Sequence, residues 1–296
     1  MRVPRSQLIM PANRADMLAK APSYGADALI FDLEDSVPLA EKSGARQLAR
    51  QYIDKHKAGN LIYVKVNALQ SGMLADDLDA IVTPGLAGIR LPKSDSAETI
   101  RTVDAMLGAL ELKRGLPPSS IAIGPTLESA KGVWFAYEIL SASPRIKSVM
   151  PGTAQDADLQ TDLGYVTTIE ENPMRSHLRC HVILAAKAAG VEQILDGVYA
   201  NIRDPDGLRK DCEAARRLGY QGKQVIHPNQ IDTVNRIFMP NPAEVDYYRR
   251  VIEAFNAALA RGSAATTVDG KLVDYAMVET AKRVIAKADA APDANA

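Results

Sequence analysis

Eight short apolar runs recur along the chain, at 7–10, 28–31, 61–66, 88–91, 121–124, 148–150, 194–198 and 224–226. Most are continuous rather than alternating, as strands buried on both faces should be. Helical patterns separate them, over 14–23, 39–55, 74–82, 97–113, 129–140, 173–189 and 206–218. Strands alternating with helices in this way predict an α/β fold, a closed (β/α)8 TIM barrel. An open doubly wound sheet fits the same alternation, but it usually brings a glycine-rich phosphate turn. Neither GxGxxG nor GxxxxGK[ST] spacing occurs.

The pattern changes after His227. One long helix is predicted over 242–260, carrying Tyr247, Tyr248 and Phe255, then a short segment over 268–274 and a last helix ending near Lys287. The reading is a barrel over 1–238 and a C-terminal helical extension over 239–288, not needed to close the barrel. That extension is expected to cover the barrel mouth or reach a neighbouring subunit. The small, polar stretch 289–296 is expected to be disordered.

Bulk properties exclude more than they select. With 296 residues, 47% hydrophobic and 24% charged, the chain can bury a large core. A net charge of −1 supplies no basic field for nucleic acid. No apolar run approaches a membrane span, and Pro4, Arg5, Pro11 and Arg14 interrupt any secretory core near the start. A cytoplasmic protein is expected. The two cysteines, Cys180 and Cys212, have no metal-binding spacing and are expected as free thiols.

Candidate chemistry gathers where strands end, because the C-terminal ends of barrel strands form the active-site face. Asp32, Glu34 and Asp35 arrive together at the end of strand two, and three such carboxylates repel unless cationic groups sit among them. Lys65 and Asn67 alternate with valines in strand three, so both are expected to point into the barrel. A buried lysine there calls for a carboxylate or an anionic substrate. Lys93 falls at the rim after strand four. Glu128 follows strand five; it suits a metal ligand or, alternatively, a helix first-turn carboxylate. Together with Asp158 it would suit Mg2+, which takes few carboxylates and keeps waters. His177, Cys180 and His181 have a spacing able to bind a soft metal, but their helix belongs to the outer ring. His227 suits either a polar site residue or a loop-stabilising one.

Several separate motifs then stand in order: Arg5-Ser6 with Pro11-Ala-Asn-Arg14, Asp32-Leu-Glu-Asp35, Val64-Lys-Val-Asn67 and Leu91-Pro-Lys93. Further on come Glu128, Asp158-Leu-Gln-Thr-Asp-Leu-Gly164, Gly222-Lys-Gln-Val-Ile-His-Pro228 and Asp269-Gly-Lys-Leu-Val-Asp274. Over nearly its whole length the chain resembles the citrate lyase β-subunit-like branch of the HpcH/HpaI aldolase superfamily. The resemblance implies a TIM barrel, a homotrimer or hexamer, and Mg2+-dependent cleavage or formation of a C–C bond next to a thioester of CoA or an acyl-carrier protein. The partner product is a 2-keto acid. By position, Glu128 and Asp158 match the metal-binding carboxylates, and Asp32, Glu34 and Asp35 the acidic motif beside them. Arg14 and Lys20 fall where relatives contact CoA phosphates. Asp274 matches an acid contributed by a neighbouring subunit, a candidate proton donor to the enolate carbon.

Two departures from the family pattern bear on activity. The family's strand-three arginine is here Lys65, which keeps the charge but loses the bidentate fork. Extra residues separate Gly152 from Asp158, so Asp156 is an alternative ligand. A class II aldolase acting on free acids and a catalytically degenerate paralogue with a regulatory role both remain open; the lack of a clear histidine base near strands one and two counts against the former.

Overall fold

The computed structural model describes residues 4–165 and 172–289. The barrel strands are β1 (Ser6–Pro11), β2 (Ala28–Asp32), β3 (Ile62–Lys65), β4 (Leu86–Leu91), β5 (Ala122–Leu127), β6 (Ser148–Pro151), β7 (Gln193–Asp196) and β8 (Gly222–Val225). They pair in chain order, all parallel, and β8 closes on β1. The predicted TIM barrel is therefore the observed architecture.

Helices α1 (Ala15–Lys20), α2 (Lys42–His56), α3 (Leu74–Ile81), α4 (Ala97–Arg114), α5 (Ala130–Trp134) and α6 (Ala136–Leu140) occupy the connections up to β6. The remaining helices are α7 (Asp158–Leu163), α8 (Pro173–Ala188), α9 (Pro205–Leu218), α10 (Ile231–Ile237), α11 (Pro242–Ala260) and α12 (Tyr275–Asp289). Their ends are written in the sequence. Asn172, Asp204 and Asn241 cap α8, α9 and α11 through side-chain oxygens, each followed by proline at the first helical position.

The described residues form two compact units, one running to Asn235 and the other starting at Arg236. The first is the barrel. In the second, α11 and α12 pack with a two-stranded antiparallel hairpin, β9 (Thr266–Val268) and β10 (Lys271–Val273). Val251, Phe255, Val273 and Ala281 are buried there, with Phe255 edge-on to Tyr275 at 4.9 Å between ring centres. Of the tail at 289–296, all but Asp289 lies outside the described residues.

Two expectations change. The single helix expected over 129–140 is two, because Phe135 leaves helical geometry (φ −97°, ψ 25°) between α5 and α6. Asn67 does not point into the barrel. Strand β3 ends at Lys65, so strand alternation no longer governs Asn67, which is turned toward α2 and α3.

Candidate active site

The end of β2 folds back on itself. Asp32 Oδ1 accepts the Glu34 N–H at 2.8 Å and its Oδ2 accepts the Ser36 hydroxyl at 2.6 Å. This turn, held by an aspartate side chain, sets Glu34 over the mouth. Lys42 braces it from α2: its Nζ donates to Leu33 O (2.7 Å), Glu34 O (2.8 Å) and Asn67 Oδ1 (2.8 Å). Asn67 in turn donates from its N and Nδ2 to the buried Asp77, both at 2.7 Å.

Lys65 ends β3, in register with Asp32 on one side and Arg90 on the other. Its Nζ forms an ion pair with Glu34 Oε2. Burial works against the Lys65 charge, but Glu34, Asp32 and Glu128 override it and raise its pKa. Burial likewise pushes the Glu34 carboxyl up, against the pull of Lys65.

Glu128 follows β5 directly and precedes Ser129, whose hydroxyl caps α5. It therefore stands before the helix, outside the first turn. Its Oε1 accepts the Lys93 N–H at 2.6 Å. Lys93 holds a left-handed backbone (φ 48°), unusual for a lysine, which aims that N–H at the carboxylate. Burial pushes Glu128 up to about 7, despite Lys65 and the Lys93 N–H. The loop after β6 passes so close that a Cβ at Gly152 would meet Glu128 Cβ at 2.5 Å. The close approach brings in Asp158, the first residue of α7, whose Oδ2 lies 4.0 Å from Lys93 Nζ.

Asp35, Lys65, Glu128 and Asp158 line one cavity of about 240 Å³, with Thr126 and Gln224 in its wall. Asp156 is not among the lining residues, and its left-handed backbone (φ 57°) is tied to Gln160 Oε1 at 2.7 Å. The arrangement fits a divalent cation: two carboxylates, one with Oε1 already used by a backbone N–H, leave positions for water and an oxygen ligand. A larger depression of about 1000 Å³ lies by α8 and α9, near Arg175, Lys210 and Arg217, but contains none of these carboxylates.

The other candidates are not among the residues that line this cavity. Arg14 is exposed, and its Nε and Nη2 both donate to Asp16 at 3.1 Å; Lys20 is exposed at the end of α1. Asp274 belongs to the C-terminal unit, is exposed, and caps α12 by accepting the Met277 N–H at 3.1 Å. His227 Nδ1 accepts the Asn229 N–H at 3.2 Å, a loop role. His177, Cys180 and His181 lie on α8, away from the mouth. Two contributors escaped the sequence: Lys42, and Arg175, whose Nε donates to Thr153 O at 2.8 Å while Nη1 donates to Asp211 at 2.8 Å. Arg175 thereby fastens the loop that carries Asp158.

The HpcH/HpaI aldolase/citrate lyase family profile matches residues 5–228. The chain is 34% identical over 294 residues to the citrate lyase subunit beta of Escherichia coli K12, covering 97% of this chain and 94% of that protein. It is 36% identical over 287 residues to a (3S)-malyl-CoA thioesterase of Cereibacter sphaeroides KD131, covering 97% and 95%. Among solved structures, CitE of Mycobacterium tuberculosis in complex with magnesium, acetoacetate and coenzyme A superposes with a TM-score of 0.76. That match has 27% identity and covers 97% of this chain and 98% of that one.

Proposed function

Because the chain belongs to the HpcH/HpaI aldolase/citrate lyase family, we propose that it is a Mg2+-dependent carbon–carbon lyase. Its substrate is a 3-hydroxy-3-carboxyacyl thioester of the citryl, malyl or citramalyl type, and its products are an acyl thioester and a 2-keto acid. The observation that carries the reading is the convergence of Lys65, Glu128 and Asp158 on one cavity at the barrel mouth.

Glu128 and Asp158 would hold Mg2+, which when bound supplies Lewis-acid polarisation of substrate oxygens. Lys65 takes the charge of the keto-acid portion, leaving Glu34 as the anion approaches. As the C–C bond breaks, the hydroxyl oxygen loses its proton and becomes the keto oxygen, and the thioester α-carbon gains one. Asp274 of a neighbouring subunit is the proposed donor of that proton, in a homotrimer or hexamer. Arg14 and Lys20 are the proposed contacts for the carrier's phosphates, Arg14 exchanging Asp16 for phosphate. Lys93 steadies Asp158. Mixing an Asp274→Asn variant with a Glu128→Gln variant, each inactive alone, then restores activity in hybrid sites; exchange of subunits without recovery removes the in-trans role.

A second reading is favoured by the malyl-CoA thioesterase relatives: hydrolysis of the thioester with the C–C bond intact. Incubation with malyl-CoA and citramalyl-CoA, with and without Mg2+, separates the two. Acetyl-CoA plus glyoxylate or pyruvate supports the lyase; free CoA plus the hydroxy acid supports the thioesterase. Failure to bind Mg2+ and to turn over either substrate points to a degenerate paralogue.

A further inference from the structure

The barrel interior holds a cation that the proposed chemistry does not use. Arg90, on β4, is 2% exposed. Its Nη1 donates to Ser148 Oγ at 2.6 Å and its Nη2 to Gln7 Oε1 at 2.5 Å. Its guanidinium carbon lies 4.8 Å from the centre of the Tyr63 ring. All three partners are neutral. Burial pushes the Arg90 pKa down to about 10, which still leaves the group charged at neutral pH. A buried charge without a counter-ion is costly for any core. The fold nevertheless makes room for it: a Cβ at Gly124 would lie 2.2 Å from Arg90 Nη1.

Its depth relates it to the active site. Tyr63, Gly124 and Ser148 each precede by two residues a lining residue of the cavity, namely Lys65, Thr126 and Met150. Positions i and i+2 share a strand face about 6.6–6.8 Å apart. The guanidinium therefore lies one layer beneath the cavity floor, and its field reaches the cavity through protein rather than water, where screening is weak.

We propose that Arg90 is a specificity-determining residue whose uncompensated charge beneath the floor biases the cavity toward an organic anion of the 2-keto-acid class. The ligand class rests on the lyase reading above; the electrostatic role does not. Arg90 touches no ligand and acts through its field. Lys65 can be neutralised by Glu34, whereas no described carboxylate pairs with Arg90, so its bias persists in the empty site. A fixed charge affects an anion and a cation in opposite directions, while a packing defect harms the binding of both.

Isothermal titration of the full chain with Mg2+ alone, and with pyruvate in saturating Mg2+, tests this on Arg90→Gln, Arg90→Met and Arg90→Lys. In the two neutral variants pyruvate binding weakens roughly ten- to twentyfold, the scale of a unit charge about 10 Å away in protein, and Mg2+ binding tightens. Arg90→Lys stays near wild type. Both affinities unchanged, or both weakened, overturns the proposal, as does failure of both neutral variants to fold. If the wild type binds neither probe, the lyase reading falls, and Arg90 is judged by 13C titration of the Glu34 carboxyl. A higher Glu34 pKa in Arg90→Gln supports the field; an unchanged one overturns it.

Discussion

Lys65 and Lys223 are both lysines on barrel strands with carboxylates for neighbours, yet they face opposite ways. Lys223, on β8, is fully buried and donates to Asp196 at 2.5 Å and Asp211 at 2.6 Å. Arg179 bonds the same two carboxylates at 2.8 Å each, and Arg175 adds a contact to Asp211. Although burial works against ionised Asp211, Lys223, Arg179 and Arg175 hold it far below the usual carboxylate range. Lys65 instead looks into the mouth, with its side chain 18% exposed and, among the described residues, an ion pair to Glu34 alone. Two of the three ammonium hydrogens of Lys223 are bonded to carboxylates, which leaves little for a ligand. Lys65 is held in place by one carboxylate at the edge of the cavity, with donors to spare, the state a binding residue needs before its ligand arrives. Charge completeness, more than burial, separates the structural lysine from the functional one.

Breaking each lysine tests that difference. Lys223→Met leaves two buried carboxylates short of a cation and should cost about 3–5 kcal/mol of stability, read as a lower urea midpoint; a shift under about 1 kcal/mol removes the contrast. Lys65→Ala should lose roughly 2.7–4 kcal/mol of transition-state stabilisation in kcat/KM. Glu34, already pushed up by burial, takes a proton instead, so stability falls by no more than about 1–2 kcal/mol. Full turnover in Lys65→Ala would show the residue to be structural.

Two smaller effects sharpen the mouth side of the comparison. Glu128→Gln and Asp158→Asn should each weaken Mg2+ binding by more than about 100-fold while Asp156→Asn does not, measured by calorimetry; losing an outer-shell partner costs up to about 100-fold. Undiminished affinity in Asp158→Asn would move the ligand role to Asp156. The last effect concerns pH. Glu128 titrates near 7 in the folded chain against a usual 4.5, so between those values the folded state holds the extra proton. Stability should therefore fall as pH rises from about 4.5 to 7, by about 1–3 kcal/mol. Glu34 adds the same sign. Saturating Mg2+ or Glu128→Gln should flatten the slope; a slope unchanged by either would remove Glu128 as its source.

Much of this was legible in the chain. Continuous apolar runs such as Ala28–Phe31 read as strands buried on both faces, and their eightfold alternation with helices, without a glycine-rich phosphate turn, favoured the barrel over an open sheet. The acidic cluster at Asp32, Glu34 and Asp35 showed itself because charges interrupt a buried strand. Lys42 gave no such sign: a lysine at the start of a helix looks the same whether it faces water or three buried acceptors. Arg175 was equally silent, since its partners Thr153 and Asp211 are 22 and 36 residues away. Asn67 misled because alternation was carried past the strand's last residue. The contrast between Lys65 and Lys223 depends on partners from other elements, which no local pattern encodes.

The contact between Arg90 and the bare Cα of Gly124 also restricts the order in which the barrel interior can change. A methyl group at 124 has no space while the guanidinium is present, so substitution there must follow a shortening at 90. The reverse order passes through a clash. Replacing Arg90 first passes instead through a chain with a void beside Gly124 and with Ser148 and Gln7 each short of a donor. Even after that shortening a Cβ at 124 would lie 2.8 Å from Ser148 Oγ, so the serine must give way as well. Positions 90, 124 and 148 thus form one coupled unit, in which no single replacement at 90 or 124 is free of cost.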